Sequence, residues 1–261
     1  MSKSVIILAS VGTNILRAKK ASYDMIRKDL EQYSGLDLLH VFTDDTTAKA
    51  VSTSRHPVYT VENAVETAIK NGADRILVIP VFMTKGELYN ELKSRLDFYN
   101  DTIEIKIADS VLHDDKSCVE CADILIKIFE FSSYAPEKVY LLVDHGNPYY
   151  KGAAMSHLQK SLEDKSIDNV KVIQLKEKDS FGQAVAWLKQ KKADETNAQV
   201  VIVPLIVAWG DYMADELYNS DDSFMWKLRE AGYRSVFTGK GLGEYEEFRA
   251  VYRARLDAIK D

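Results

Sequence analysis

His145 stands where an α/β protein could use an imidazole for chemistry. It follows a short apolar run at residues 139–143, within the sequence Asp144-His145-Gly146. Ligands of open parallel sheets bind beyond the carboxyl ends of the strands, and the loops there carry many functional residues. An imidazole can accept a proton near neutral pH and can ligate a borderline metal ion. The alternative is a histidine that only hydrogen-bonds the loop backbone.

A second group of candidates is a glycine followed by an acidic residue after an apolar run. Its two copies are Lys85-Gly86-Glu87 and Gly210-Asp211-Tyr212. Glu87 and Asp211 are candidates for a carboxylate pair that passes protons, or they only cap the helices that follow. Tyr212 is either a ligand or hydrogen-bond donor, or an aromatic ring packed over the loop.

Two further motifs predict structure rather than chemistry. Cys118 and Cys121 lie one helical turn apart with no second cysteine pair, which favours core thiols over a metal or redox site. Residues 239–243 contain three glycines but follow the last strand candidate, so we expect a turn into the final helix. The chain has neither a Gly-Lys-Ser/Thr phosphate loop nor a Gly-x-Ser-x-Gly elbow, and no nucleotide cofactor is expected.

The elements that position these residues alternate along the chain. The strand candidates are residues 5–9, 38–42, 75–81, 103–108, 139–143, 170–175, 200–207 and 234–237. Most are continuously apolar, as in strands covered by helices on both faces. Amphipathic segments lie between them, for example 15–33, 61–71, 88–99 and 122–131. This alternation predicts an α/β fold of parallel sheets built from βαβ units.

The pattern occurs twice. The runs that begin at Val5 and Val139 both end in a glycine loop, and Pro80-to-Gly86 has the same six-residue spacing as Pro204-to-Gly210. This internal repeat predicts two duplicated α/β domains, residues 1–131 and 132–261, each with a parallel sheet of about four strands. We expect the glycine loops of the two domains to face an active cleft between them.

Composition limits the partners. Lys and Arg number 34 against 40 for Asp and Glu, a net charge of −6. That balance argues against nucleic acid, whose phosphates need a basic surface. No apolar run is long enough to cross a membrane or to act as a signal peptide, so a cytoplasmic protein is expected. Surface Tyr and Trp allow a homo-oligomer without requiring one.

The motifs taken together resemble those of a known family, over essentially the whole chain. They are Ser10-Val11-Gly12-Thr13, His145-Gly146, Pro204-Leu205, Ala208, Gly210-Asp211, Ser220-Asp221-Asp222, Trp226-Lys227, Ala231-Gly232 and Gly241-Leu242-Gly243-Glu244. In this set the chain is similar to the class II tetrapyrrole chelatases, most of all to the anaerobic sirohydrochlorin cobaltochelatases. The fold that this resemblance implies is the same duplicated α/β architecture.

The resemblance also implies a set of site residues. The family holds its metal with a histidine of the His-Gly loop, a glutamate after the next strand, and a histidine directly after Gly-Asp. His145 matches the first and is the expected catalytic residue. The third position is Tyr212, and the second reads Lys176-Glu177, so the glutamate is either displaced to Glu177 or replaced by Lys176. Tyr212 and, in the first case, Glu177 are expected to complete the metal shell. The expected substrate-binding residues are Ser10, Gly12, Thr13, Lys85, Gly86, Glu87, Gly146, Gly210 and Asp211.

The function that follows by resemblance is insertion of Co²⁺, or else Fe²⁺, into a tetrapyrrole of the sirohydrochlorin type, without ATP, in anaerobic cobalamin biosynthesis. The divalent metal is then a substrate. The alternative is a non-catalytic paralogue that binds haem or another tetrapyrrole. A two-domain small-molecule receptor is a third, weaker interpretation, because such receptors usually carry an export signal.

Overall fold

The computed structural model describes residues 3–131, 137–147 and 152–261, the side chain of Tyr212 excepted. Its first sheet contains β1 (Ser4–Ser10), β2 (Asp37–Phe42), β3 (Arg75–Pro80) and β4 (Glu104–Ile107). The strand order is β2-β1-β3-β4, and every neighbouring pair is parallel. The second sheet contains β5 (Lys138–Asp144), β6 (Val170–Gln174), β7 (Gln199–Pro204) and β8 (Arg234–Phe237). It repeats the same order as β6-β5-β7-β8, again all parallel.

Helices follow the strands in both halves. They are α1 (Leu16–Ala21), α2 (Tyr23–Ser34), α3 (Asp45–Val51), α4 (Val61–Lys70), α5 (Glu87–Asp97), α6 (Asp115–Phe129), α7 (Ala154–Asp164), α8 (Ser180–Gln190), α9 (Asp211–Ala214), α10 (Phe224–Glu230) and α11 (Glu246–Asp257). A π-helical turn, Asp215–Asn219, continues α9, and a 3₁₀ turn, Leu242–Glu244, precedes α11. The predicted fold class, parallel four-stranded sheets surrounded by helices, is confirmed.

The central strands are apolar because both of their faces are covered. Ile6, Ile7 and Leu8 of β1 are fully buried, and so are Leu141 and Leu142 of β5. Each sheet therefore has its own hydrophobic core, and the side chains of α4 and α5 or of α8 and α10 complete those cores. Burial on both faces explains why these strands have no polar alternation.

Two of the predicted helical segments differ from the helices of the structure. The segment 15–33 forms two helices, because Ser22 departs from regular helical dihedrals at φ −112° and ψ −77°. The segment 122–131 is the end of a longer helix, α6, which begins seven residues earlier at Asp115. Asp114 fixes that start, since its carboxylate accepts from the N–H of Ser117 at 2.7 Å while the Ser117 hydroxyl binds back. This reciprocal pair is a capping box.

The chain divides into two compact units, and their division differs from the expected boundary at residue 131. Helix α6 lies in the second unit and helix α11 in the first. The first unit is Met1–His113 with Gly243–Asp261, and the second is Asp114–Leu242. Helix α6 therefore belongs with α7. Asp115 of α6 pairs with His157 of α7 at 2.6 Å, and Asp123 pairs with Lys165, the residue that follows α7, at 2.7 Å. Packing partners, rather than order along the chain, decide which unit holds a helix.

Helix α11 belongs to the first unit, where it packs on α2. Arg249 donates to Asp29 at 2.7 Å, and Phe248 and Tyr252 are buried. Within the described residues, no helix is both long and apolar enough to span a bilayer.

Candidate functional site

Hydrogen bonds hold the first residues of the loop that follows β5. The Asp144 carboxylate accepts from the Gly146 N–H at 3.1 Å and from the Gln174 side-chain amide at 3.0 Å. Burial raises the pKa of Asp144, and these two hydrogen bonds act in the opposite direction. The backbone N–H of Lys176 donates to the His145 carbonyl at 3.0 Å. Residues at and just after the end of β6 are thus hydrogen-bonded to both Asp144 and His145.

Gly146 is required at its position by both conformation and space. Its φ is +73°, in the left-handed region that glycine adopts without steric cost. A Cβ on Gly146 would lie 3.1 Å from the Gln174 Cβ, closer than side chains normally approach. The His-Gly pair in the sequence therefore reflects a tight turn that aims the imidazole.

The two ring nitrogens of His145 have different surroundings. Nδ1 lies 2.9 Å from the Gly146 carbonyl oxygen. Because a carbonyl only accepts hydrogen bonds, Nδ1 carries the proton and Nε2 presents a lone pair in the neutral ring. Nε2 lies 3.7 Å from Oε2 of Glu216, and both atoms are shielded from solvent. The imidazole is thus oriented with its basic nitrogen against a carboxylate.

Glu216 belongs to the π-helical turn that continues α9. Its Oε1 forms an ion pair with the ammonium of Lys176. Within the described residues its Oε2 accepts no hydrogen bond. Lys176, Glu216 and His145 therefore form one cluster at the carboxyl ends of β5 and β6. A π-helical turn often marks a functional site.

Sequence reasoning missed Glu216. It lies 71 positions from His145, and no spacing rule connects residues from two different loops. The available signal was the alternative that Lys176 replaces the family's glutamate, because a positive charge in a metal shell calls for a carboxylate from elsewhere.

The other predicted metal ligands are placed differently. Glu177 is exposed on the turn after β6, where its N–H donates to the Gln174 carbonyl at 3.1 Å. The carboxylate that the structure places against His145 is that of Glu216. Tyr212 lies in α9, but its side chain is outside the described residues. Among the described residues, no group of three or more His, Cys, Asp or Glu side chains could hold a metal ion.

Gly210 and Asp211 form the start of α9. The Gly210 carbonyl accepts from the Ala214 N–H at 3.0 Å, and Asp211 is the first residue of the helix. Gly86 and Glu87 occupy the same two places at the start of α5. An acidic residue in a first helical turn interacts favourably with the helix dipole. Both motifs therefore begin helices, and the N-cap of α5 is Gly86, with no side-chain cap hydrogen bond.

The glycine loop after β1 lies in the first unit. Ser10 and Thr13 are buried, and the Thr13 hydroxyl accepts from the N–H of Ile15 at 3.1 Å. Gly12 has a φ of +111°, and a Cβ there would lie 2.7 Å from Cδ2 of Phe42. These contacts explain the loop's sequence by its own packing.

Lys85 lies beside the end of β4. Its ammonium pairs with Asp109 at 2.5 Å and lies 5.9 Å from the centre of the Tyr89 ring. His113 Nε2 is 3.6 Å from the same aspartate, and its Nδ1 lies 3.2 Å from the Ser110 carbonyl. The structure thus joins Lys85, Asp109 and His113 at one edge of the first sheet.

The cysteine pair and the glycine-containing segment 239–243 were expected to be structural, and their contacts agree with that expectation. Cys118 and Cys121 are buried free thiols in α6, and burial raises the pKa of Cys118 to about 11. Residues 239–241 lead into the 3₁₀ turn before α11, and the Leu242 N–H donates to the Ile206 carbonyl at 2.8 Å.

Solved structures share this architecture. SirB from Bacillus subtilis with Fe³⁺ aligns with a TM-score of 0.68 at 15% identity, over 98% of this chain and 94% of that chain. CbiX, described as the terminal enzyme for biosynthesis of siroheme in denitrifying bacteria, aligns with a TM-score of 0.59 at 13% identity, over 98% and 99%. DR2241 from Deinococcus radiodurans, a multi-domain protein described as similar to chelatases, gives 0.58 at 13%, over 98% and 55%. These likenesses establish the fold.

Sequence comparison is more specific. A search of curated proteins found no significant match. A family model, cobalt chelatase (CbiK), matches residues 4–261, nearly the whole chain. The chain therefore belongs to the CbiK cobalt chelatase family, a family of tetrapyrrole metal chelatases.

Proposed function

We propose that the protein inserts a divalent metal ion, Co²⁺ in preference to Fe²⁺, into a sirohydrochlorin-type tetrapyrrole in anaerobic cobalamin biosynthesis. The observation that carries this proposal is the orientation of His145, whose Nε2 lone pair faces the Glu216 carboxylate at 3.7 Å. Membership of the cobalt chelatase family supports the choice of metal. The reaction needs no nucleotide.

Metal insertion requires a base. Two pyrrole N–H protons must leave the macrocycle as the ion enters, and the ion must lose its water. Once the ion has passed from Nε2 to the ring, His145 accepts one of the two pyrrole protons at that nitrogen, and Glu216 stabilises the imidazolium that results. The hydrogen bond from Nδ1 to the Gly146 carbonyl keeps Nε2 available for this step. Tyr212 and Glu177 remain our proposed further oxygen ligands of the incoming metal.

Each repeat offers residues that we propose for binding of the macrocycle. A sirohydrochlorin-type ring carries many carboxylates, and Lys85 is the proposed cation for one of them, with Asp109 released on binding. Ser10 and Thr13 are proposed to shape the substrate loop after β1. The backbone at glycines 12, 86, 146 and 210 is proposed to lie against the ring, and Glu87 and Asp211 are proposed to carry protons away.

The metal can be tested directly. Purified protein is mixed under anaerobic conditions with sirohydrochlorin and either Co²⁺ or Fe²⁺, and the absorbance change of the metallated ring is followed against a protein-free control. We expect a protein-dependent rate that is higher with Co²⁺. A higher rate with Fe²⁺ would overturn the choice of metal, and rates equal to the control with both ions would overturn the proposed activity.

A second candidate is a non-catalytic protein that binds haem or another tetrapyrrole. The observation that favours it is the Lys176–Glu216 ion pair, because an ammonium already occupies the carboxylate beside His145. In the same assay this candidate predicts a shifted spectrum of the bound ring without acceleration of insertion. Haem titration would then identify its ligand.

A further inference from the structure

We propose that Glu216 is the carboxylate that holds the incoming metal together with His145, and that Lys176 is a resident cation that the metal displaces. This inference deepens the proposed function and rests on it. It assigns a metal-holding role to a residue of the π-helical turn and a competing role to the lysine.

The geometry of the two acceptors supports a bound cation. His145 Nε2 and Glu216 Oε2 face each other at 3.7 Å with no proton between them when the ring is neutral. Metal bonds to imidazole nitrogen and carboxylate oxygen of about 2.0–2.2 Å place two ligands of a tetrahedral ion about 3.4 Å apart. A movement of a few tenths of an ångström therefore lets one ion bridge both atoms. Oε2, shielded and without a hydrogen bond in the described residues, is stabilised by that ion.

Lys176 holds the other oxygen of the same carboxylate. Its ammonium contacts Oε1, while its backbone N–H is bound to the His145 carbonyl. The lysine side chain is 31% exposed, so its flexible stem can carry the ammonium into water when a divalent ion arrives. The Lys176 ammonium thus neutralises the Glu216 carboxylate until a divalent metal ion takes its place.

The consequence is a site that holds its metal weakly. Removing Lys176 leaves an uncompensated carboxylate, which attracts a divalent cation more strongly. His145 and Glu216 fill only two coordination positions of the ion, so pyrrole nitrogens can replace its remaining ligands in turn. A chelatase must release its ion to the macrocycle, and competition from Lys176 favours that release.

The alternative is a structural ion pair that only fastens the π-helical turn to the loop after β6. The two explanations differ in sign. If the pair is structural, its loss loosens Glu216 and leaves Co²⁺ affinity unchanged or weaker. If Lys176 competes with the metal, its loss strengthens Co²⁺ binding.

The experiment titrates the whole 261-residue chain with Co²⁺ alone by calorimetry, without macrocycle. The variants are Lys176→Met, which keeps the stem and removes the charge, and Glu216→Gln. The matched control is Lys165→Met, because Lys165 lies in the same unit, is 30% exposed and pairs with Asp123 at 2.7 Å.

We expect Lys176→Met to lower the Kd for Co²⁺ about tenfold and Glu216→Gln to raise it about tenfold or more. Lys165→Met should leave the Kd unchanged. Circular dichroism of each variant separates loss of folding from loss of binding. A folded Lys176→Met protein that binds Co²⁺ no more tightly than the wild type would overturn the inference, as would an unchanged Kd in Glu216→Gln.

The titration tests the metal site, the insertion assay tests the chelatase activity, and either hypothesis can be contradicted without the other. If Lys176→Met binds Co²⁺ more tightly but neither protein accelerates insertion, the metal site stands and the chelatase proposal fails. If insertion proceeds but Co²⁺ alone shows no binding to any of the proteins, the inference is overturned and the activity stands.

Discussion

His145 and Glu216 show what a single residue's sequence environment reveals and what it conceals. The strand-end position and the following glycine predict His145 as a site residue, and that role stays a prediction. Glu216 comes from a π-helical turn, and its neighbour in space, Lys176, comes from a third loop. The meeting of these three side chains depends on the conformations of two loops and of the π-helical turn, and hydrophobic periodicity carries no information about them.

His40 makes a residue-scale prediction about pH. It is buried in the first unit against the rings of Tyr23 and Phe42. Burial, and then the nearby Lys19 ammonium, lower its pKa from 6.5 to about 3, although Asp24 acts in the opposite direction. Between these values the unfolded chain binds the additional proton, so the protein loses stability as pH falls below 6.5, by up to about 1.4 kcal/mol per pH unit.

The measurement is urea unfolding at about pH 7 and about pH 5.5. His40→Gln should remove most of the loss of stability between these two conditions. The exposed His56 provides the control, since His56→Gln should keep the wild-type dependence. Equal pH dependence in His40→Gln and the wild type would contradict the assignment to His40.

At the scale of elements, all eight strand candidates are strands, because continuous apolar runs between helical segments have few alternatives in a chain of this composition. The helix borders were less predictable. Ser22 interrupts the segment 15–33 through its backbone dihedrals, and no helix-breaking residue announces that interruption. The start of α6 was encoded in the Asp114 and Ser117 capping box, which the apolar pattern alone does not show.

The loop after β5 makes an element-scale prediction. Gly146→Ala should destabilise the protein by more than the roughly 1–2 kcal/mol of a left-handed alanine, because its Cβ would also press on Gln174. The same contact should displace His145 and lower the insertion rate. Unfolding in urea and the insertion assay measure the two effects.

Gly72→Ala is the matched control. Gly72 has a φ of +77°, similar to that of Gly146, but among the described residues no heavy atom beyond its two chain neighbours lies within 4 Å of a Cβ built there. It should show the conformational cost alone and keep the wild-type insertion rate. If Gly146→Ala is as mild as Gly72→Ala and fully active, the loop does not hold His145 in the way that we describe.

At the scale of the whole molecule, the internal repeat predicted two similar α/β halves, and the two sheets have the same strand order. The repeat did not predict that α6 and α11 would join the units opposite to the expected division. The apolar face of a helix predicts that the helix is covered, but not which element covers it. The pairs Asp29–Arg249, between α2 and α11, and Asp115–His157, between α6 and α7, become visible only in the structure.

The assignment of α11 predicts a large effect from its buried face. Phe248 is fully buried in the first unit, and Phe248→Ala should cost about 3–5 kcal/mol of stability. Phe98, at 86% exposure, is the control whose replacement by alanine should change stability by less than about 0.5 kcal/mol. Thermal and urea unfolding measure both variants. Similar small effects from the two variants would contradict the placement of α11 in the core of the first unit.

The central claim is that His145 carries metal insertion in this chelatase. The most direct measurement is the initial rate of Co²⁺ insertion into sirohydrochlorin, under anaerobic conditions, for the wild type, His145→Ala and the exposed-histidine control His56→Ala. We predict that His145→Ala loses at least about a hundredfold in rate while staying folded, and that His56→Ala keeps the wild-type rate. A folded His145→Ala protein that inserts Co²⁺ as fast as the wild type would contradict the account.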